Sequence, residues 1–212
     1  TFREGRSAKA EVLKNLPAGV QAIIYDSLGA PNSGQQDLPY YARFIEMLRL
    51  TRVFFDKTSS SGFWSRDTIP VPVWTNTGRV AGIDAKYYRY FEPDDDAGRF
   101  FNIPIYKHNY YHEGGNFMAD ARGRCLIVNN ERSLRVPDSI FQSMYGCASV
   151  HRFEFIKGIG HIDERVKLVS DTEAMTDTPE YVKPLEQMGY TVTMLPQGGN
   201  YYETYVNSIL VN

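Results

Sequence analysis

The chain has 212 residues, 42% of them hydrophobic and 23% charged, with a formal net charge of −2. This composition is typical of globular proteins and excludes a disordered chain, and the near-neutral charge argues against a dedicated nucleic-acid binder. No apolar run reaches the roughly 18 residues that a membrane span needs. The sequence opens on Thr1 without a signal-peptide pattern. This start suggests a processed or cut chain and leaves the compartment open: soluble, cytoplasmic or exported after processing.

Cysteine usage is sparse. Cys125 and Cys147 are the only two cysteines, which are too few for a disulfide scaffold or a four-cysteine zinc site. Cys125 lies in an apolar run and Cys147 between small residues, and neither has a histidine or a second cysteine beside it. We therefore expect two unpaired structural cysteines, which suit a reducing compartment without requiring one.

The first third of the sequence predicts alternating helices and strands. A helix is expected over residues 1–16, a buried strand over 20–25, a second helix over 38–50 and a second strand over 52–55. The helices are predicted from apolar side chains at helical intervals, and the strands from short continuous apolar runs.

The remainder predicts two β-hairpins together with helices and single strands. The hairpins pair residues 71–74 with 80–84 and 117–120 with 125–128, because turn residues separate two apolar runs in each case. Helices are expected over residues 98–102, 137–145 and 179–188. Single strands are expected over residues 151–155, 166–169, 190–195 and 206–211.

Polar motifs recur at similar intervals along the chain. Their centres are Asp67, Glu113, Asp163 and Asn207, which lie 46, 50 and 44 residues apart. A repeat of about 45–50 residues is typical of propellers and solenoids built from supersecondary units. We therefore expect residues 1–212 to form a single α/β domain of repeated units.

Each motif combines ionisable or amide side chains with a turn. The four motifs are WSRD at 64–67, HEGGN at 112–116, GHID at 160–163 and YVNS at 205–208. His161 and Asp163 are two residues apart, so an extended backbone would direct both side chains to one face. An imidazole and a carboxylate on one face can bind a cation and move a proton. Taken singly, each motif also fits an ordinary salt bridge, turn or hydrogen-bonded pair.

Metal and cofactor binding are alternatives that the sequence disfavours. His112, Glu113, His161 and Asp163 are metal-compatible residue types, but their spacing follows no known zinc motif. The sequence contains neither a phosphate loop nor a dinucleotide fingerprint. We therefore expect no metal and no organic cofactor.

Taken in this order, the motifs WSRD, HEGGN, GHIDERV and YVNSILVN resemble those of the agmatine deiminase and bacterial peptidylarginine deiminase group, in the guanidino-group-modifying superfamily. The likeness runs from about residue 63 to residue 212, whereas the preceding segment matches only as a strand followed by a helix. The resemblance implies a five-bladed, pseudo-symmetric α/β propeller around a negatively lined pocket. The implied ligands are agmatine, free arginine or peptidyl arginine.

The resemblance also assigns catalytic roles. Asp67 and Asp163 resemble the carboxylates that hold the substrate guanidinium. Trp64 resembles the aromatic residue that flanks the guanidinium, and His161 resembles the general acid and base. These assignments fit the chemistry, because a planar guanidinium offers five N–H donors to paired carboxylates and is attracted to an aromatic face.

Four further positions are candidates for substrate binding. Glu113 and Asn116 match a pocket-proximal motif of the family, and Asn207 resembles a pocket asparagine of the peptidylarginine branch. Arg66 is a candidate contact for a substrate carboxylate, with a solvated surface position as the alternative.

The family reaction also needs a nucleophile. A cysteine thiolate attacks the guanidinium carbon, histidine protonates the departing ammonia and then activates water, and a ureido product such as citrulline is released. The family cysteine follows the fourth motif, where this sequence ends at Asn212, and neither Cys125 nor Cys147 has the required neighbours. The resemblance therefore predicts about four of five units, without the cysteine-bearing one.

Three alternatives remain open at this stage. The chain is a fragment of an active deiminase, works with a second chain that supplies the cysteine, or is a non-catalytic relative that binds guanidinium groups or a protein. An incomplete propeller would expose strand edges. We therefore expect a homo-oligomer or a partner chain that completes the fold.

Overall fold

The computed structural model describes residues 15–17, 20, 22–26, 53–57, 65–87, 94–200 and 203–208. The helices predicted over residues 1–16 and 38–50 lie almost entirely outside these residues, as does Trp64. The chain divides into two compact units, one of residues 1–63 with 211–212 and one of residues 64–210.

Two parallel strands are described in the first unit. Strands β1 (Ala22–Asp26) and β2 (Val53–Lys57) pair in register from one end to the other. Both strands were predicted from apolar runs, and each ends one or two residues later than expected. Parallel pairing needs a crossover connection, which the intervening sequence is long enough to provide.

The second unit contains three three-stranded sheets with the same topology. Their strands are β3 (Val71–Trp74), β4 (Val80–Lys86) and β5 (Ile105–Tyr111); β6 (Met118–Ala119), β7 (Arg124–Val128) and β8 (Ser149–Phe153); and β9 (Val166–Leu168), β10 (Glu173–Thr176) and β11 (Thr191–Met194). In each sheet the first two strands are antiparallel and the central strand pairs with the third in parallel. The repetition inferred from the motif spacing thus has a structural counterpart in the described residues.

Short helices connect these strands. They are α1 (Ser65–Thr68), α2 (Asp94–Phe101), α3 (Asp138–Met144) and α4 (Pro179–Gln187). Helices α2, α3 and α4 each lead from the central strand of one sheet to its third strand, which is the right place for a parallel crossover. None of the helices in the described part of the chain is long and apolar enough to cross a membrane.

The α/β class and both predicted hairpins are confirmed, whereas the propeller arrangement stays a prediction. Two strands were missed, β5 and β10, because β5 (IYKHNYY) mixes in polar residues and β10 (EAMT) contains no continuous apolar run. The strand predicted over residues 206–211 is wrong for residues 206–208, where the chain bends, and its last residues lie outside the described part.

Strand β7 is buried on both faces and separates two apolar clusters. Leu126 and Val128 pack into one cluster with Phe153, and Ile127 packs into the other with Phe141. A strand covered on both sides needs a continuous apolar run rather than an alternating one, and the sequence RCLIV supplies it.

The cysteine expectation is wrong, because Cys125 and Cys147 form a disulfide with Cα atoms 5.7 Å apart. Cys125 lies on β7, and Cys147 lies two residues before β8, the parallel neighbour of β7. This register brings together two cysteines that are 22 residues apart in sequence. The disulfide leaves neither thiol free, so the argument for a reducing compartment no longer holds.

Reducing this disulfide should lower the free energy of unfolding by about 3 kcal/mol, because the bond closes a loop of this length in the unfolded chain. Urea unfolding with and without dithiothreitol measures the change. Cys125→Ala/Cys147→Ala is the matching variant, and dithiothreitol should not alter its stability. Two free thiols in the denatured, unreduced protein would contradict the pairing.

Candidate functional site

Three of the polar motifs occupy the same place in the three sheets of the second unit. Asp67 lies on α1, just before β3. The short 3-10 helix Gly114–Asn116 precedes β6, and a second one, Ile162–Glu164, precedes β9. Helix α1 contacts the first 3-10 helix, which in turn contacts the second. The repeated topology therefore brings motifs about 50 residues apart in sequence into one cluster.

His161 is the centre of this cluster. Its Nε2 lies 3.2 Å from Glu113 Oε2, and its Nδ1 lies 3.6 Å from Asp67 Oδ1. This contact does not have the geometry of a well-formed hydrogen bond, and it is an ion pair when the imidazole is protonated. The imidazole is buried, with a carboxylate beside each nitrogen. Such a group is suited to hold and release a proton.

The absence of a side chain at Gly115 is what lets the cluster converge. A Cβ placed there would stand 2.6 Å from both Asp67 Oδ1 and His161 Nδ1, and 3.1 Å from Asp163 Oδ2. The Gly115 N–H donates to Asp67 Oδ1 at 3.0 Å, which fixes that carboxylate. At Gly114 a Cβ would lie 2.1 Å from the backbone oxygen of Arg66. The two glycines of HEGGN are therefore required by close contacts.

Glu113 is the carboxylate whose charge is compensated within the chain. Arg132 Nη1 donates to Glu113 Oε2 at 2.9 Å, and His161 contacts the same oxygen. Burial raises the Glu113 pKa, but His161 and Arg132 outweigh this effect, and the net pKa lies below its ordinary value. Arg132 is a neighbour of the candidate site that the sequence did not single out.

For Asp67 and Asp163, the effect of burial on the pKa outweighs that of the neighbouring positive charges. Burial raises the pKa of both carboxyl groups, and the charge of His161, together with that of Arg66, opposes this effect without overcoming it. Arg66 Nε lies 3.7 Å from Asp163 Oδ2, and its guanidinium also donates to the backbone oxygen of Phe117 at 3.2 Å. These two partly buried carboxylates would therefore gain most from a further cation.

The backbone around His161 and Asp163 differs from the prediction. His161 itself is extended, but the chain turns into a 3-10 helix at the next residue. The extended segment expected to place both side chains on one face is therefore wrong. Both side chains still face Gly115, because the turn brings Asp163 back toward His161.

The other candidates for substrate binding lie in different surroundings and do not all belong to the cluster around His161. Asn116 is buried, and its carboxamide bonds to both the oxygen and the N–H of Val128 at 2.8 Å and accepts from the N–H of Ile162. Its polar atoms therefore hold two motifs together. Asn207 is exposed and lines a cavity that Asp163 also lines. Trp64 lies outside the described residues.

His112 does not belong to the cluster. Its ring packs edge-on against Phe117, Phe141 and Tyr145, and burial lowers its pKa to about 3. It is a neutral core histidine. Of the residue types suited to metals, the described residues that converge are Asp67, Glu113 and His161, with ligand atoms within 4.8 Å of one another.

A scan against protein-family models and a search of curated protein sequences give no match. Among solved structures, agmatine deiminase from C. jejuni is similar, with a TM-score of 0.74, 17% identity, and coverage of 100% of this chain and 71% of that one. A structure described as a peptidyl-arginine deiminase is similar at a TM-score of 0.72 and 17% identity, covering 100% of this chain and 75% of that one.

A more distant structure extends the comparison. DDAH from Pseudomonas aeruginosa, solved in complex with citrulline, has a TM-score of 0.55 and 14% identity, covering 91% of this chain and 82% of that one. These similarities show that the chain shares the fold of these solved structures. The likeness to agmatine and peptidylarginine deiminases is thereby confirmed at the level of the fold.

Gly115→Ala should disrupt the cluster, because the added methyl group meets three polar side-chain atoms. We expect a loss of about 1–3 kcal/mol in the free energy of unfolding, as for other overpacked sites. Gly199→Ala is the matched control, because a Cβ there meets only the end of the Glu203 side chain. Equal stabilities of the two variants in urea unfolding would contradict the close convergence.

The buried His161 should have a higher pKa than His108 and His151, which are partly buried. Burial lowers its pKa, but the contact with Glu113 and the charges of Asp67, Glu113 and Asp163 raise it above the ordinary 6.5. Since the folded-state pKa exceeds the unfolded one, His161 stabilises the fold fully below pH 6.5. This stabilisation is lost as the pH rises through the folded-state pKa.

NMR titration of the imidazole signals measures this order. The midpoint of His161 should lie above those of His108 and His151, whose pKa values burial lowers. Glu113→Gln should lower the His161 midpoint, whereas Glu131→Gln, at an exposed position, should leave it unchanged. A His161 midpoint below that of His108 would refute the assigned electrostatics.

Proposed function

We propose that this chain binds a guanidino group between Asp67 and Asp163 and that it serves a deiminase-type hydrolysis of that group. The observation that carries the proposal is the convergence of these two carboxylates with His161 at Gly115. Both carboxylates are partly buried and have raised pKa values, so a bound cation relieves the cost of their ionisation. A guanidinium suits the site, because its planar set of donors can serve both carboxylates.

Each residue has a defined task in this reaction. Asp67 and Asp163 hold and orient the guanidinium so that its central carbon is accessible to a nucleophile. His161, held by Glu113, protonates the departing ammonia and then takes a proton from the water that completes hydrolysis. The product is the ureido compound: citrulline from arginine, or carbamoylputrescine from agmatine. Nothing in these steps calls for a metal or an organic cofactor.

The covalent step needs a thiolate that this chain does not provide. Cys125 and Cys147 are its only cysteines, and both are in the disulfide. Hydrolysis by this route therefore uses a cysteine from outside these 212 residues, in a longer chain or in a partner chain. The disulfide also favours the second candidate function, a non-catalytic module that captures guanidinium groups in the same carboxylate pair.

Both candidates require guanidinium binding, which calorimetry with agmatine and arginine tests directly. Asp67→Asn/Asp163→Asn should weaken binding at least about a hundred-fold, because it removes two ionic hydrogen-bond acceptors. Binding by the unaltered chain should also weaken as the pH falls, since the raised carboxyl pKa values make protonation compete with the ligand.

A double variant elsewhere on the surface provides the control. Glu131→Gln/Glu186→Gln changes the net charge by the same amount at exposed positions and should not alter affinity. Absence of binding by the unaltered chain, or equal affinity of the two double variants, would overturn the proposed site.

A further inference from the structure

A cavity of about 520 Å³ opens beside Asp163 within the second unit. Its walls include Phe117, Met118 and Val206, which offer apolar surface of the kind that methylene groups contact. Asp163 and Gly114 line it as well. A ligand whose guanidinium lies at Asp163 can therefore extend its remaining atoms into this space.

The charged groups of the cavity are mostly positive. Arg66 and Lys167 line it, and Asp163 is the only carboxylate among its described lining residues. Arg66 is already engaged by Asp163 and by the backbone of Phe117. Lys167 is therefore the lining cation that is left to meet an anionic group of a ligand.

Lys167 lies in β9, and its ammonium donates to the backbone oxygen of Ser208. Among the described residues, no carboxylate forms an ion pair with Lys167. Burial, and after it the charge of Arg66, lower the Lys167 pKa despite the opposing charge of Asp163. Lys167 therefore shares the cavity lining with a second cation, Arg66, and an anion bound beside the two would be attracted by both.

Resting on the proposed function, we infer that the cavity selects guanidino compounds that carry a carboxylate, and that Lys167 is the residue that recognises it. Free arginine and peptides that end in arginine belong to this class. Agmatine does not, because its far end is a second cation that would face Lys167 and Arg66. Asp163 and Lys167, which line one cavity, thus match the guanidinium and the carboxylate of one arginine molecule.

Calorimetry on the 212-residue chain with three ligands tests this inference. L-Arginine, arginine methyl ester and agmatine share the guanidinium and the methylene chain, but only arginine has a free carboxylate. Arginine should bind about ten- to a hundred-fold more tightly than the ester or agmatine, the size expected for one ionic hydrogen bond. Equal or tighter binding of agmatine would overturn the inference while leaving the proposed guanidinium site intact.

Variants of Lys167 separate its role from general stability. Lys167→Gln should weaken arginine binding and strengthen agmatine binding, because one charge attracts the first ligand and repels the second. Lys167→Arg should keep the preference for arginine. Lys183→Gln makes the same change at an exposed position on α4 and should alter neither affinity.

The outcomes distinguish the two proposals. If Lys167→Gln and Lys183→Gln show the same ratio of arginine to agmatine affinity, Lys167 is not the recognition residue. If none of the three ligands binds, the proposed function fails, and this inference fails with it. Thermal unfolding of each variant shows whether the fold is retained. If Lys167→Gln does not fold, Lys167→Arg is the variant used for the comparison of affinities.

Discussion

Buried negative charge around one histidine is the constraint on which the rest of the site depends. Three carboxylates approach His161 in a place that water reaches poorly, and a buried carboxylate is costly unless a cation or a hydrogen bond compensates it. Arg132 compensates Glu113, whereas Asp67 and Asp163 are compensated only in part. The negative charge of Asp67 and Asp163 is therefore not fully compensated within the described residues. A guanidinium could compensate it through directed hydrogen bonds as well as through its charge.

The repeated topology explains how such a cluster can form. Each of the three site motifs precedes the first strand of its own sheet, so equivalent positions of the three sheets approach one another. Close approach then requires that no side chain stand between them, which is the condition that Gly115 fulfils. Asn116 completes the arrangement, because it bonds β7 to the chain that follows His161. The cluster is built from backbone positions and does not depend on a single loop.

Much of this organisation could be predicted from local sequence, and the parts that could not depend on distant contacts. Apolar runs around turn residues predicted both hairpins. Asp67, Glu113, His161 and Asp163, which the ordered motifs singled out, lie close together in the fold. The pairing of Cys125 with Cys147 was missed because it depends on the parallel register of β7 and β8. Arg132 and Lys167 were missed because no motif contains them. Their importance comes from tertiary contacts: Arg132 contacts Glu113, and Lys167 lines the cavity beside Asp163. The turn after His161 was missed because a short 3-10 helix has no strong sequence signal.

The disulfide and the site share one strand, which connects stability to binding. Cys125 fixes one end of β7 to the start of β8, and the opposite end holds Asn116 through both polar groups of Val128. Carboxylates kept partly uncompensated repel one another, so the surrounding backbone must resist their separation. A central strand that is buried on both faces and covalently tied at one end provides that resistance. The same bond occupies both cysteines of the chain, so neither offers a free thiol to act on a guanidinium in the proposed site.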